Sequence, residues 1–286
     1  MRGEEHERND SAGRSGNSPP PDALDPPGQI PTDDVAEATA DRSMAAAEEA
    51  VALGHGSPQA RADVADMAGQ RRHEDRRQVW ISHHEARRAM VEELRRQGVR
   101  DERVLSVMGD VPRERFVPSE LAEQAHDPEP LPIGAGQTIS APDVVAMMAA
   151  TLELGDDDRV LEVGTGSGYA AAVLSRLAGE VISVEYHDEL ARSARSTLAE
   201  LGYDNVEVRV GDGSQGAADR APFDAISVTA MAQDDLPQAL VDQLAPGGVL
   251  VCPTGHGRSG QLLRLRDGRR ESLGPVGFVP LVTDAR

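Results

Sequence analysis

The sequence predicts an α/β fold: a doubly wound, mostly parallel sheet preceded by helices and closed by a C-terminal β-hairpin. Three observations carry this prediction. From Arg159 onward, short apolar strands alternate with helical stretches, the pattern of strand–helix–strand units. The first of these strands runs directly into a glycine-rich turn. Near the C-terminus, Asp267-Gly268 separates two strand-like stretches, which is a hairpin signal.

The elements follow in chain order. Residues 1–80 read as an N-terminal extension and residues 81–286 as the folded domain. Met1 to Pro31 is rich in Ser, Gly, Pro and charge, so it cannot bury enough apolar surface to offset ordering entropy and is expected to be disordered. Thr32 to Leu53 could form one alanine-rich helix ending at Gly54. In the domain, helices are expected over Ser82 to Gln97, with Ser82 and Glu85 as a capping box, and over Asp101 to Met108. Val111 to Pro118 and Leu131 to Pro142 read as irregular, proline-punctuated connections. A helix is expected over Asp143 to Leu152, a strand over Arg159 to Val163 and a helix over Tyr169 to Ala178. A strand over Val181 to Glu185, a helix over Asp188 to Leu201 and strands over Val206 to Val210 and Ala225 to Val228 come next. Leu236 to Leu244 reads as a helix stopped by Pro246-Gly247-Gly248, and Val249 to Cys252 as a strand. Leu262 to Arg266 and Arg270 to Leu273 form the hairpin, and Phe278 to Val282 a last strand.

Composition removes several functions. There are 49 acids against 29 bases, a net charge of -20, and every base is arginine. Such a chain repels polyanions, and its seven aromatic residues are too few for a base-stacking platform, so no nucleic-acid partner is expected. The absence of lysine excludes Schiff-base chemistry and a P-loop lysine. The single cysteine, Cys252, excludes an intrachain disulfide and a multi-cysteine zinc site. No apolar run is long enough to span a membrane, and the first residues lack a signal-peptide core. A soluble, cytoplasmic protein with no membrane partner is the expectation.

The chemistry lies in Leu161-Glu162-Val163-Gly164-Thr165-Gly166-Ser167-Gly168-Tyr169. A strand enters a glycine turn and opens a helix, which lets a ligand approach the backbone closely. The third glycine of a dinucleotide fingerprint is replaced by Tyr169, so a pyrophosphate is not the expected ligand. An acid beside the turn, Glu162, suits a cationic one. Glu185 ends the next strand, where an acid accepts both ribose hydroxyls. Asp212, with Gly213, ends the strand after that and could accept from an adenine amino group. Three consecutive strand ends thus describe a pocket for S-adenosylmethionine.

With Arg113-Glu114-Arg115-Phe116-Val117-Pro118, Leu131-Pro132-Ile133-Gly134, Gln137-Thr138-Ile139-Ser140-Ala141-Pro142 and Phe278-Val279-Pro280-Leu281, the sequence from Ser82 to Arg286 resembles the protein-L-isoaspartate O-methyltransferase family. The resemblance implies a Rossmann-like class I methyltransferase fold. It also implies methyl transfer to the free carboxylate of L-isoaspartyl residues in proteins or peptides, followed by succinimide formation and repair. It gives Ser140 the role of active-site serine and places Gln137, Thr138 and Ile139 beside it in the substrate pocket. Glu162, Gly164, Thr165, Gly166, Ser167, Gly168, Glu185, Asp212 and Gly213 become the cofactor residues, and Gln261 a further pocket residue. Two departures stand out: His126 takes the place of a tyrosine in many relatives, and Val144 that of a histidine in some. The extension is a third, and suits docking of a partner or substrate. It keeps open a relative that methylates an aspartate of one dedicated peptide to form an aspartimide. A non-catalytic cofactor-binding adaptor is the other alternative.

Other residues are set aside. His83-His84 reads as a helix start rather than a metal site, and no metal is expected. Cys252 reads as a small core residue. Asp25-Pro26-Pro27-Gly28 lacks the aromatic residue of an amino-methylating motif. On spacing alone Ser140 would be a helix cap; the resemblance gives it the catalytic place instead.

Overall fold

The structure is a computed structural model that describes residues 82–284. The extension, with the helix expected at Thr32 to Leu53, lies outside the described residues. Helix α1 (82–96) buries Arg87, Met90 and Leu94, spaced one turn apart on one face. Ser82 is already helical, one position too far in for the expected capping box. Helix α2 (Glu102–Asp110) starts where Asp101 accepts from the backbone N–H groups of Arg103 and Val104 at 2.9 and 3.1 Å. Two 3-10 turns, Arg113–Phe116 and Ser119–Gln124, follow.

The expected irregular segment at 131–142 is instead an antiparallel hairpin, β1 (Leu131–Gly134) and β2 (Gln137–Ile139). Its tight turn uses positive φ at Gly134, Ala135 and Gly136, which disguised two short strands as a loop. Helix α3 (Pro142–Leu152) leads to the main sheet. There β3 (Arg159–Val163), α4 (Tyr169–Ser175), β4 (Glu180–Glu185), α5 (Asp188–Glu200), β5 (Val206–Val210) and β6 (Phe223–Val228) alternate as expected. A two-residue strand β7 (Ala232–Gln233) and a short helix α6 (Gln238–Val241) precede β8 (Leu244–His256), β9 (Ser259–Arg266) and β10 (Arg269–Gly277).

The eight-stranded sheet runs β10-β9-β8-β6-β3-β4-β5, with β7 beside β8. The strands from β5 to β8 are parallel, and β9 and β10 are antiparallel. Alternation along the strands sorts the core. Val160, Val181, Ala225 and Val249 face one cluster; Leu161, Ile182, Ile226 and Leu250 face the other. Leu161, Ile182 and Leu250 have no exposed surface, so truncating one to alanine costs about 2–5 kcal/mol.

Three further expectations need correction. The helix at Leu236 to Leu244 shrinks to Gln238–Val241 because strand β8 claims Leu244. Pro246-Gly247-Gly248 does not separate helix from strand; it is a bulge inside β8, between Leu244 opposite Phe223 and Val249 opposite Ala225. Phe278 to Val282 is not a strand. It touches Met231 through a single bridge at Pro280, which has no N–H to extend a ladder. The Asp267-Gly268 hairpin forms as expected, with φ of 50° and 71°. A second hairpin turn, at Gly257-Arg258, joins β8 to β9.

Candidate active site

The carboxyl ends of β3, β4 and β6 open onto a cavity whose empty space, counted together with the solvent at its mouth, is about 960 Å³. One wall is the glycine turn from Gly164 to Ser167 with Glu185 and Gly213. The facing wall is Gln137, Thr138, Ile139 and Ser140, and the tail from Val279 to Val282 completes the rim.

The turn after β3 is fixed by its neighbours. Gly164 has φ 96°, and a Cβ there would meet Thr229 Oγ1 at 2.5 Å. The Thr229 hydroxyl donates to the carbonyls of Val163 and Gly164 at 3.0 and 2.6 Å, which pins the turn. Gly213 is equally constrained, because a Cβ would lie 2.5 Å from Val163 Cγ1. Gly168 does not line the cavity; it starts α4 and lets that helix pack on Ala194 and Leu198 of α5.

Glu185 is buried, and its two carboxylate oxygens are oriented by the backbone. Gly166 N–H donates to Oε2 at 2.8 Å and His187 N–H to Oε1 at 2.9 Å. Each oxygen keeps a lone pair for a further donor, so the carboxylate fits a diol. Glu162 lies behind the turn, fully buried. Ser183 Oγ donates to its Oε2 at 2.5 Å, and that hydroxyl is 2.5 Å from the Thr165 hydroxyl, which lines the cavity. Its other oxygen, Oε1, has no hydrogen-bond partner. Burial, followed by repulsion from Glu185, outweighs the Ser183 hydrogen bond and pushes the Glu162 carboxyl up to about 8.

Asp212 does not line the cavity. Its Oδ1 caps the 3-10 turn at Gly213–Gln215 through Ser214 N–H at 2.9 Å, and its Oδ2 accepts from Asp284 N–H at 2.9 Å. Tyr186 donates to Asp284 Oδ1 at 3.2 Å, so the tail is tied down at both strand ends. Gln261 is also elsewhere. It is exposed on β9, accepting from Ser272 at 3.0 Å.

Ser140 does not cap a helix: the cap position of α3 is Ala141, which makes no side-chain bond. The Ser140 carbonyl instead accepts from Arg113 Nη2 at 2.7 Å. Arg113 is fully buried; its Nε donates to the Ala125 carbonyl at 2.6 Å and its guanidinium lies 4.7 Å from the Tyr169 ring. The sequence does not show that this arginine supports the wall at Ser140, since only the fold brings 113, 125, 140 and 169 together. Tyr186, His187 and Thr229 also line the cavity unanticipated; each lies within two residues of a strand end, which is the available signal.

A parallel sheet with a glycine turn after one strand and a ribose-suited acid after the next defines a nucleoside-binding protein of the Rossmann-like class. Residues 85–286 match the profile of the family described as "Protein-L-isoaspartate(D-aspartate) O-methyltransferase", so the chain belongs to that family. A protein-L-isoaspartate O-methyltransferase of Methanoculleus marisnigri is 51% identical over 201 residues, covering 68% of this chain and 91% of its own. One from Pelobacter propionicus is 51% identical over 218 residues, covering 74% and 92%. A Plasmodium falciparum β-aspartate methyltransferase solved with S-adenosyl-L-homocysteine superposes with a TM-score of 0.60 at 27% identity, covering 68% of this chain and 98% of that one. The chain is an enzyme of this family, its cofactor is S-adenosylmethionine, and its reaction is methylation of isoaspartyl carboxyl groups. The match begins at residue 85 and leaves the docking role expected of the extension unaddressed. Among the described residues no helix is long and apolar enough to cross a membrane.

Proposed function

We propose that Ser140, with the backbone of Gln137 to Ile139, presents the isoaspartyl carboxylate to the methyl donor held against the glycine turn. One observation carries this: residues 137–140 and 164–167 line the same cavity. When bound, S-adenosylmethionine supplies a methyl group activated by a positive sulfur. Glu185 would take the ribose hydroxyls. Glu162 would place negative charge behind the turn, relayed through Ser183 and Thr165 to the cavity wall.

No residue of the cavity has to act as a base. The nucleophile is a carboxylate with an ordinary pKa of about 4, ionised at neutral pH. The protein's task is to align it with the methyl carbon. The remaining candidates agree with this division of labour. Burial pushes the Tyr169 hydroxyl up to about 12 and the Cys252 thiol up to about 12, so neither supplies an anion near neutrality. Apart from the Glu185 carboxylate, the His187 imidazole and the Gln137 amide, the wall is backbone, hydroxyl and apolar surface, suited to holding a flexible damaged segment.

The matched relatives favour this reading over the aspartate-modifying and adaptor alternatives. A pair of peptides differing only in an isoaspartyl or aspartyl linkage tests it. Methyl ester formation is expected on the isoaspartyl peptide, at least tenfold above its twin. Preference for the aspartyl peptide would overturn it, and so would transfer to neither.

A further inference from the structure

Away from the cavity, three elements bring another chemically competent set of side chains together. His83 lies in the first turn of α1, Glu114 in the 3-10 turn Arg113–Phe116, and His126 just after the turn Ser119–Gln124. One ligand atom from each lies within 4.8 Å of the other two. The His126 side chain is only 5% exposed and that of Glu114 12%.

The hydrogen bonding of this cluster is incomplete in a specific way. His126 Nε2 is 3.3 Å from Glu114 Oε2 but out of line for a hydrogen bond. Both His126 nitrogens and Glu114 Oε2 are buried without a well-formed hydrogen bond, Nε2 and Oε2 meeting only in the 3.3 Å charge contact. Leaving such atoms unsatisfied costs about 1–3 kcal/mol each, so a native fold rarely tolerates several in one place. The other carboxylate oxygen is held: Arg87 Nη1 donates to Glu114 Oε1 at 3.3 Å. Arg87 therefore orients the carboxylate and leaves Oε2 to the cluster, as a supporting partner does for a metal-bound acid.

We propose that His83, Glu114 and His126 form a transition-metal site whose best-fitting ion is Zn2+, with a fourth position open to water. Two imidazoles and one carboxylate suit Zn2+ far better than Mg2+ or Ca2+, which take all-oxygen shells. Bonds of about 2.0–2.2 Å in a tetrahedron place ligand atoms roughly 3.3–3.5 Å apart. The observed cluster must close by little more than an ångström. His83, partly exposed at the start of its helix, can supply that movement by a change of rotamer.

The ion would staple α1 to the segment that leads into the substrate wall. The carbonyl of Ala125, next to His126, accepts from Arg113, the residue that also holds Ser140. The metal touches no cavity residue, so its role is to fix this support and not to take part in methyl transfer.

The test uses the full chain, stripped with a chelator and titrated with Zn2+ against a chromophoric competitor. One equivalent of high-affinity binding is expected, with a rise in unfolding temperature. Co2+ in its place should give visible d–d absorption. His83→Ala and His126→Gln should each weaken binding on the order of 100-fold and remove the Co2+ bands. His83→Ala changes only the partly exposed first turn of α1, so loss of binding with an unaltered circular dichroism spectrum reports lost ligation and not unfolding. Absence of saturable Zn2+ binding to the wild type would overturn the proposal. So would binding that survives both substitutions, which would place the ion on other histidines such as His6, His55 or His73.

Discussion

The two walls of the cavity are built in opposite ways. The wall proposed for the cofactor is local: Glu162, the glycine turn and Glu185 sit at the ends of adjacent parallel strands, and the carboxylate of Glu185 is oriented by backbone N–H groups. The wall proposed for the substrate is assembled at long range. Ser140 is placed by Arg113, which also grips Ala125 and lies on Tyr169. A local wall fails by losing ligand contacts, whereas an assembled wall fails by losing its support. Substitutions should separate these modes.

Arg113→Ala should have the largest effect. It removes two charge-assisted hydrogen bonds, one to the buried Ala125 carbonyl and one to the half-buried Ser140 carbonyl, each worth about 1.5–3 kcal/mol, and leaves a void beside Tyr169. A loss of about 3–6 kcal/mol in urea unfolding is expected, with kcat/KM for an isoaspartyl peptide falling more than cofactor affinity. Equal loss of both would mean that the walls are not independent.

Glu185→Gln comes next and attacks only the local wall. It keeps the shape and removes the charge that two ribose hydroxyls would meet. Cofactor affinity should fall by about 1.5–3 kcal/mol, roughly 10- to 150-fold by calorimetry, with the KM of a peptide little changed. A comparable rise in peptide KM would contradict the division.

Glu162 sharpens the comparison through pH. With its carboxyl at about 8, much of it is protonated at neutrality in the free enzyme. A cationic ligand favours the anion, so binding releases a proton. Affinity should rise roughly fivefold from pH 7 to 8 and level off above, and Glu162→Gln should abolish this dependence. The sign for folding is opposite. The folded carboxyl holds its proton more tightly than the unfolded one, so this group's contribution is fully present below the ordinary carboxylate value. It is lost as pH rises from about 4.5 to about 8. Denaturant titrations of the cofactor-free protein check this.

The same contrast explains what could be read from the sequence. The strand–turn–helix order, the glycines and the acids were legible because each is set by neighbours in the chain. The hairpin at 131–139 was not, since strands of four and three residues carry too little alternation. Nor was the fate of Leu236 to Leu244, where pairing of Leu244 with Phe223 overrides a helical pattern. Asp212 was placed on the correct strand end, but not its engagement by Asp284, a contact across 72 residues. The grouping of His83 with Glu114 and His126 is not legible either, because the three become neighbours only through tertiary packing.

The smallest effect tests the role of Ser140 directly. Its carbonyl is fixed by Arg113, so replacing the side chain leaves the backbone of the wall in place. The hydroxyl would contribute one hydrogen bond to a carboxylate that is already anionic, worth about 0.5–1.5 kcal/mol. Ser140→Ala should therefore lower kcat by roughly 3- to 12-fold, with cofactor affinity and unfolding temperature unchanged. A much larger loss would give the hydroxyl a direct part in the chemistry, and no loss would leave positioning to the backbone of residues 137–140. Combined with Arg113→Ala it should add almost nothing, because two changes that act through the same placement of one wall do not sum.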